Sequence, residues 1–269
     1  MSNNYLALPL LNMPEDRQPQ WYETWFDSPH YHRLYGHRSA EEASAFIQRL
    51  HNKFGWSQLH IMDLACGEGR HSAAAADLGH DVVGVDLSAN SIANAKQNHP
   101  KHQTLRFVEG NMLDFDLDER FDGVLNLFTS FGYFDKRDDH LAVLNRIRQH
   151  LKPRGFLILD FLNVEFSRAR LISSETLNRG GVDYVISRSF GDLGHGTPGF
   201  TKTIKFEENG TRHLYTERVS GMDRAALTML LEETGFAVSD VFGDYDLAPW
   251  TPKDSPRLIL CAKAVAPTF

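Results

Sequence analysis

The segment "IMDLACGEGRHS" sets Asp63 four residues before Gly67 and six before Gly69, and "DVVGVD" ends on Asp86, nineteen residues after Gly67. Glycine permits backbone angles closed to other residues and lets a ligand approach the main chain. Such loops commonly receive phosphate at a helix N-terminus. An acid about 20 residues further on sits at the neighbouring strand end, where it can accept hydrogen bonds from a ribose diol. Asp63 is the discordant member. A pyrophosphate beside it would meet a like charge in a partly desolvated cleft, a penalty on the order of kcal/mol.

A cationic ligand reverses that sign. S-adenosylmethionine (SAM) joins a sulfonium, an α-ammonium and a ribose without any phosphate, so the two acids favour SAM over NAD. Ser72 adds to this, because it stands where a dinucleotide fingerprint has its third glycine.

The elements that hold these residues follow from periodicity. "LHIMDL", "DVVGVD", "TLRFVEG", "FDGVLNLF" and "FLILDFL" are near-continuous apolar runs, as in a parallel sheet covered on both faces. Helices separate them: Arg70–Leu78, a Ser88-capped helix to about Asn98, and one opened by Asp135 or Asp138. "KPRG" reads as the turn into the fifth strand. Ahead of the sheet, Ser39 and Glu42 form a capping box for a helix that Gly55 stops, after an aromatic stretch through Pro29 that reads as irregular. Right-handed crossovers bring the C-terminal strand ends to one edge, where ligands bind.

After about Val164 the rhythm changes. "VDYVISRSF", "GFTKTIKF" and "TRHLYTERV" read as strands, the last two joined by "EENG". Met222, Ala226, Met229 and Leu230 mark a helix with Ser220 and Asp223 as a capping pair, and "FAVSDVFG" and "PRLILCAKA" close the chain as strands. The expected fold class is α/β, a seven-stranded mostly parallel sheet with helices on both faces plus a β-rich insertion. The division is an N-terminal helical lid segment (1–55), a Rossmann-like SAM-binding core (56–163 and 221–269) and a substrate cap (164–220).

"DLACGEGRHS" resembles the first motif of class I SAM-dependent methyltransferases, and "GVDLS" their second. "GNMLDFDLDERFDGVLNLFTSFGYF" is similar to their adenine-side loop and fourth strand, and "LKPRGFLILDF" to their fifth-strand approach. "YHRLYGHR" and "NLFTSFGYF" narrow the resemblance to bacterial small-molecule enzymes, a group that includes amino-sugar N-methyltransferases. The resemblance implies that Asp63, Ala65, Gly67 and Gly69 hold the methionine part and that Asp86 takes the ribose, with Leu87 against the adenine. It also implies that Asn111 and Met112 bracket the adenine, while Asn126 and Leu127 stand beside the sulfonium. Arg38 or Tyr35 is a candidate for the methionine carboxylate. Asn126 has an alternative as a backbone satisfier at a strand end. Trp21, Tyr22, Trp25, Tyr31 and Tyr35 are read as core anchors or as lid residues. His71 is read as either a cofactor contact or an exposed first-turn residue.

The implied activity is methyl transfer to nitrogen or oxygen of a small molecule. Tyr133, His195 and His213 are chemically suited as a base, with none singled out. The alternatives are an NAD-dependent oxidoreductase, a non-catalytic SAM-binding protein, and a nucleic-acid or protein methyltransferase. "NLFT" lacks the proline-rich pattern of amino-directed nucleic-acid enzymes, and a net charge of −7 over 269 residues disfavours a nucleic-acid partner. Two distant cysteines suit a reducing cytoplasm. The chain shows no signal-peptide pattern and no membrane-spanning run. Thirteen histidines, among them His30, His32 and His37, lack metal-site spacing, so no metal is expected. A monomer or homodimer is expected.

Overall fold

The computed structural model describes residues 19–36, 39–100, 102–194 and 196–265. The chain divides into two compact units. The larger takes in residues 38–169 and 222–269, the smaller residues 1–37 and 170–221.

The larger unit is built on strands β1 (His60–Leu64), β2 (Asp81–Asp86), β3 (Leu105–Glu109), β4 (Phe121–Asn126) and β5 (Leu151–Leu162). β10 (Phe236–Phe242) and β11 (Arg257–Ala264), numbered in chain order past the smaller unit's four strands, complete the sheet in the order β10-β11-β5-β4-β1-β2-β3. All neighbours are parallel except β11, which runs antiparallel to both β5 and β10. This is the seven-stranded sheet expected from the alternation of apolar runs and helices.

Helix α3 (Ala40–Phe54) starts at Ser39, whose hydroxyl accepts the Glu42 N–H at 3.0 Å, and ends at Gly55 with φ 61°. Its buried stripe of Phe46, Ile47 and Leu50 joins Ile61, Val82, Leu125 and the alanines of α4 (Arg70–Asp77) in one core cluster. α3 therefore packs with the sheet inside the larger unit. Ser88 caps α5 (Ala89–Asn98) by accepting the Ser91 N–H at 3.0 Å.

Three local expectations are corrected. Helix α6 (Arg137–His150) is preceded by Lys136 with no side-chain cap, and Asp138 and Asp139 lie inside its first turn, where they complement the helix dipole. "KPRG" is part of β5: Arg154 takes φ 63° and the pairing with β4 slips between Phe121 and Gly123, so a bulge absorbs the turn signal. On α8 (Arg224–Glu233) Asp223 alone is the cap, and the core face is Leu227, Leu230 and Leu231, leaving Met229 63% exposed. A short helix, α7 (Val164–Ala169), follows β5.

The smaller unit is an antiparallel sheet of β6 (Ser174–Arg179), β7 (Val182–Asp192), β8 (Pro198–Glu208) and β9 (Thr211–Ser220), in that order. β6 has only one apolar residue, Leu177, so sequence shows no strand there; its ladder with β7 and the Gly180-Gly181 turn, both glycines at positive φ, create it. The aromatic stretch is not irregular. It forms α1 (Trp21–Trp25) and α2 (Pro29–Tyr35), the second started by Ser28 accepting the His30 N–H at 3.2 Å and by Pro29 in the first turn. Trp25 and Leu34 pack with Tyr184, Ile186, Ile204 and Phe206 in that unit's own core. Among the described residues no helix is long and apolar enough to cross a membrane.

Candidate functional site

Three strand ends of the larger unit converge because β1 lies between β2 and β4 in the sheet. Asp63 pairs in register with Gly84 on β2 and Leu125 on β4. It is 1% exposed, and Ser72 Oγ donates to its Oδ2 at 2.5 Å. Burial, with a smaller contribution from the Asp86 charge, pushes its carboxyl up to about 6 against the pull of the Ser72 bond and Arg70. Ser72 thus serves the acid, which explains why the position is not glycine.

The loop after β1 is wound tightly. Ala65 takes φ 61°, Gly67 φ 57° and Gly69 φ 80°. Gly69 is required by packing as well as by conformation, since a Cβ there would lie 2.4 Å from the Phe107 ring. At Gly67 the same construction meets nothing within 4 Å among the described residues, which leave the main chain open on that side. Cys66, between Ala65 and Gly67, is buried, its thiol pushed well up by burial and by the two acids, and it is chemically quiet. His71 is 7% exposed, which removes the reading of it as an exposed first-turn residue.

Asp86 ends β2 half-buried and clasps the loop. Its Oδ2 accepts the Gly67 N–H at 2.7 Å and its Oδ1 the Ser88 N–H at 2.9 Å. Sequence spacing points only to a ligand role; the bracing of loop and helix start is an addition. A carboxylate offers about four acceptor positions, more than these two bonds require. Leu87 follows, also half-buried. The Asp86 carbonyl accepts the Gly110 N–H at 2.9 Å, which ties the turn carrying Asn111 and Met112 to the end of β2. Asn111 Oδ1 accepts the Leu113 N–H at 3.0 Å, and both Asn111 and Met112 are half-buried.

Asn126 ends β4 fully buried. Its Nδ2 donates to the Leu64 carbonyl at 3.0 Å, and its Oδ1 has no partner among the described residues. One end satisfies the backbone, as the strand-end reading expects, and the other is a buried acceptor without a partner among the described residues. Leu127 is 3% exposed in the core cluster, and its carbonyl accepts Ser130 Oγ at 2.8 Å, so its side chain serves packing.

A network behind this edge is absent from the sequence reading. Asp160, fully buried on β5, accepts Arg257 Nε at 2.8 Å, Tyr245 Oη at 2.9 Å and the Phe128 N–H at 2.8 Å. Arg257 also donates to Thr129 Oγ1 at 2.9 Å. The guanidiniums of Arg70 and Arg257 lie 4.7 and 5.8 Å from the centre of the Phe128 ring. The available signal was an aspartate inside the apolar run "FLILDF".

Arg38, His37 and His195 lie outside the described residues. Tyr35 Oη donates to Glu217 at 2.7 Å and accepts from Lys202 within the smaller unit. His30 is buried there beside Tyr184 Oη at 3.1 Å, and His213 stacks on Phe206.

The donor set fits SAM. A buried acid raised by desolvation gains from a cation, the open side of Gly67 gives main-chain access, and Asn126 Oδ1 lacks a partner among the described residues.

Comparison with known proteins agrees. Residues 61–155 match the Methyltransferase domain family. The dTDP-3-amino-3,6-dideoxy-alpha-D-glucopyranose N,N-dimethyltransferase of Streptomyces fradiae is 32% identical over 124 residues, 46% of each chain, so the match spans about half the length of that relative. A glycine/sarcosine N-methyltransferase of Parasynechococcus marenigrum is 30% identical over 212 residues, covering 77% of this chain and 72% of that one. The solved CcbJ methyltransferase of Streptomyces caelestis superposes with a TM-score of 0.72 at 18% identity, covering 91% of this chain and 99% of that one. Its sheet and helices share the fold described above. With this fold, and a relative 30% identical over more than two thirds of both chains, the chain belongs to the class I SAM-dependent methyltransferases.

Proposed function

We propose that this chain transfers a methyl group from SAM to the nitrogen of a small-molecule acceptor, and that the β-rich unit recognises the acceptor. The single observation that carries the donor side is Asp63, an acid buried beside a glycine loop and braced by Ser72. The relatives reported above are by name N-methyltransferases of an amino sugar and of glycine or sarcosine, which supports nitrogen over the oxygen that sequence leaves open.

Bound SAM supplies an electrophilic methyl on a sulfonium that loses its charge on transfer. Asp63 with the Gly67 main chain would hold the amino end, Asp86 the ribose, Asn111 and Met112 the adenine, and Asn126 the donor end. The chain's contribution is then orientation and exclusion of water, worth up to about 7–11 kcal/mol in good cases. A neutral amine attacks without first losing a proton, so no base is assigned.

Calorimetric titration of the purified chain with SAM, followed by transfer of labelled methyl to a metabolite panel, tests the reading. Binding that is lost in Asp86→Ala, together with a labelled product, is expected. NADH binding by fluorescence with no SAM binding would replace it with an oxidoreductase. SAM binding without transfer to any acceptor would favour a non-catalytic role.

A further inference from the structure

In the smaller unit, strand register places charged side chains on a sheet face that is otherwise apolar. Arg188 on β7 and Lys202 on β8 are directly opposed, and Lys202 in turn opposes Glu217 on β9. Two residues further along the same strands, the face is Ile186, Ile204 and Tyr215, and the first two are fully buried. One face thus passes from a dry core to a charged pocket. The cavity measures about 140 Å³, and Leu171, Phe200 and Val219 supply its apolar wall.

These charges are held rather than loosely solvated. The side chains of Arg188, Lys202 and Glu217 are 24%, 17% and 17% exposed. Arg188 binds Glu175 and reaches the Ile172 carbonyl at 3.4 Å. Glu217 Oε1 accepts Trp25 Nε1 and Tyr35 Oη, each at 2.7 Å, and its Oε2 lies 3.8 Å from Lys202 Nζ. Lys202 also sits 4.5 Å over the Tyr35 ring. Each carboxylate serves the cation at its own end of the row, and strand register sets Arg188 and Lys202 opposite each other in the middle. Like charges directly opposite on neighbouring strands destabilise a sheet. An anionic group received between them converts repulsion into attraction, and a planar carboxylate matches the guanidinium fork.

The size of the cavity sets the class of ligand. It is below the roughly 300–1,000 Å³ of pockets that enclose drug-sized molecules, and its lining seats a group of a few heavy atoms. Resting on the reading that the β-rich unit recognises the acceptor, we infer that this pocket is the acceptor subsite for a small amine bearing a carboxylate. The carboxylate lies between Arg188 and Lys202, and the amine faces Glu217.

The test is calorimetry on the full chain saturated with S-adenosylhomocysteine, titrated with the twenty proteinogenic amino acids, sarcosine and the matching primary amides. At least one acid is expected to bind at least tenfold tighter than its amide and to be the compound methylated from labelled SAM. Arg188→Gln and Lys202→Gln are each expected to weaken it at least tenfold, Arg188→Lys less so, with the affinity for SAM unchanged as the control for folding. Equal binding of acid and amide, no binding of any acid, unchanged affinity in both glutamine variants, or methylation of uncharged acceptors alone overturns the assignment while methyl transfer itself stands. A chain that binds no SAM fails at the earlier reading and takes this one with it.

Discussion

Arg257 and Asp160 meet between the adjacent strands β11 and β5, with Nε donating to Oδ1 at 2.8 Å. The carboxylate's other oxygen accepts the Phe128 N–H, and the guanidinium extends to Thr129 Oγ1. The pair therefore holds both residues of the turn that follows Asn126, and both are non-glycine residues in the left-handed region, with φ 61° and 62°. Such conformations cost on the order of 1–3 kcal/mol each and persist only when their surroundings impose them. The brace sits behind the strand end that would face the methyl donor.

Asp160→Ala leaves Arg257 without its buried partner, and a loss of about 3–5 kcal/mol in urea denaturation is expected. The double variant Asp160→Ala with Arg257→Met should recover part of that stability, because no unpaired charge then stays buried. It should not recover SAM affinity, because the turn after β4 is still unbraced. A double variant as unstable as Asp160→Ala alone would show that the stranded Arg257 charge is not the source of the loss.

Asp63 makes SAM affinity depend on pH. Its carboxyl is raised from 3.8 to about 6, so the folded state binds more protons than the unfolded state between those values. Stability from this group is thus present at low pH and is lost as pH rises through about 4 to 6, on the order of 3 kcal/mol. A cationic ligand favours the ionised form and must expel the proton below about pH 6. Affinity for SAM should rise roughly tenfold from pH 5 to pH 7, with proton release visible as a buffer-dependent binding enthalpy. Asp63→Asn should flatten the profile. A wild-type affinity that does not vary over that range would separate Asp63 from the ligand's cation.

The sheet and the two acids were legible in sequence because each depends on local information: apolar runs of strand length, a glycine loop, and an acid one β-α-β step further on. The bracing of Asp63 by Ser72 was not, since the serine registers in sequence only as a missing glycine. Asp160 with Arg257 was hidden for another reason: partners 97 residues apart are joined by an antiparallel closing strand, and spacing carries no trace of it. β6 escaped because a strand with one apolar residue takes its structure from its neighbour. Capping signals were sound where a hydroxyl did the capping, as at Ser39 and Ser88, and failed at α6, where acids next to the start serve the dipole instead.

The two loop glycines should respond differently to the same change. At Gly67 an added methyl meets open space, so Gly67→Ala should cost only about 1–2 kcal/mol for its positive φ while obstructing the ligand. At Gly69 the methyl would strike Phe107, adding about 1–3 kcal/mol of overpacking to a similar backbone penalty. Phe107→Ala should relieve the second variant and leave the first unaffected, a difference that a double-mutant cycle by thermal denaturation measures directly. Equal losses of stability in both variants would contradict the open approach to Gly67.

Asn126 separates a strand-end role from a ligand role within one side chain. Its Nδ2 is spent on the Leu64 carbonyl, and its Oδ1 is buried without a partner among the described residues. A buried acceptor left unmade costs about 1–3 kcal/mol, comparable to the worth of the bond made at the other end. Asn126→Leu removes both at once, so its stability should stay within about 1 kcal/mol of the parent. Its SAM affinity should fall about tenfold, the worth of one charge-assisted hydrogen bond. Calorimetry and thermal denaturation on the same preparation decide between the roles: a variant that is destabilised yet binds SAM with parental affinity would confine Asn126 to closing the end of the strand.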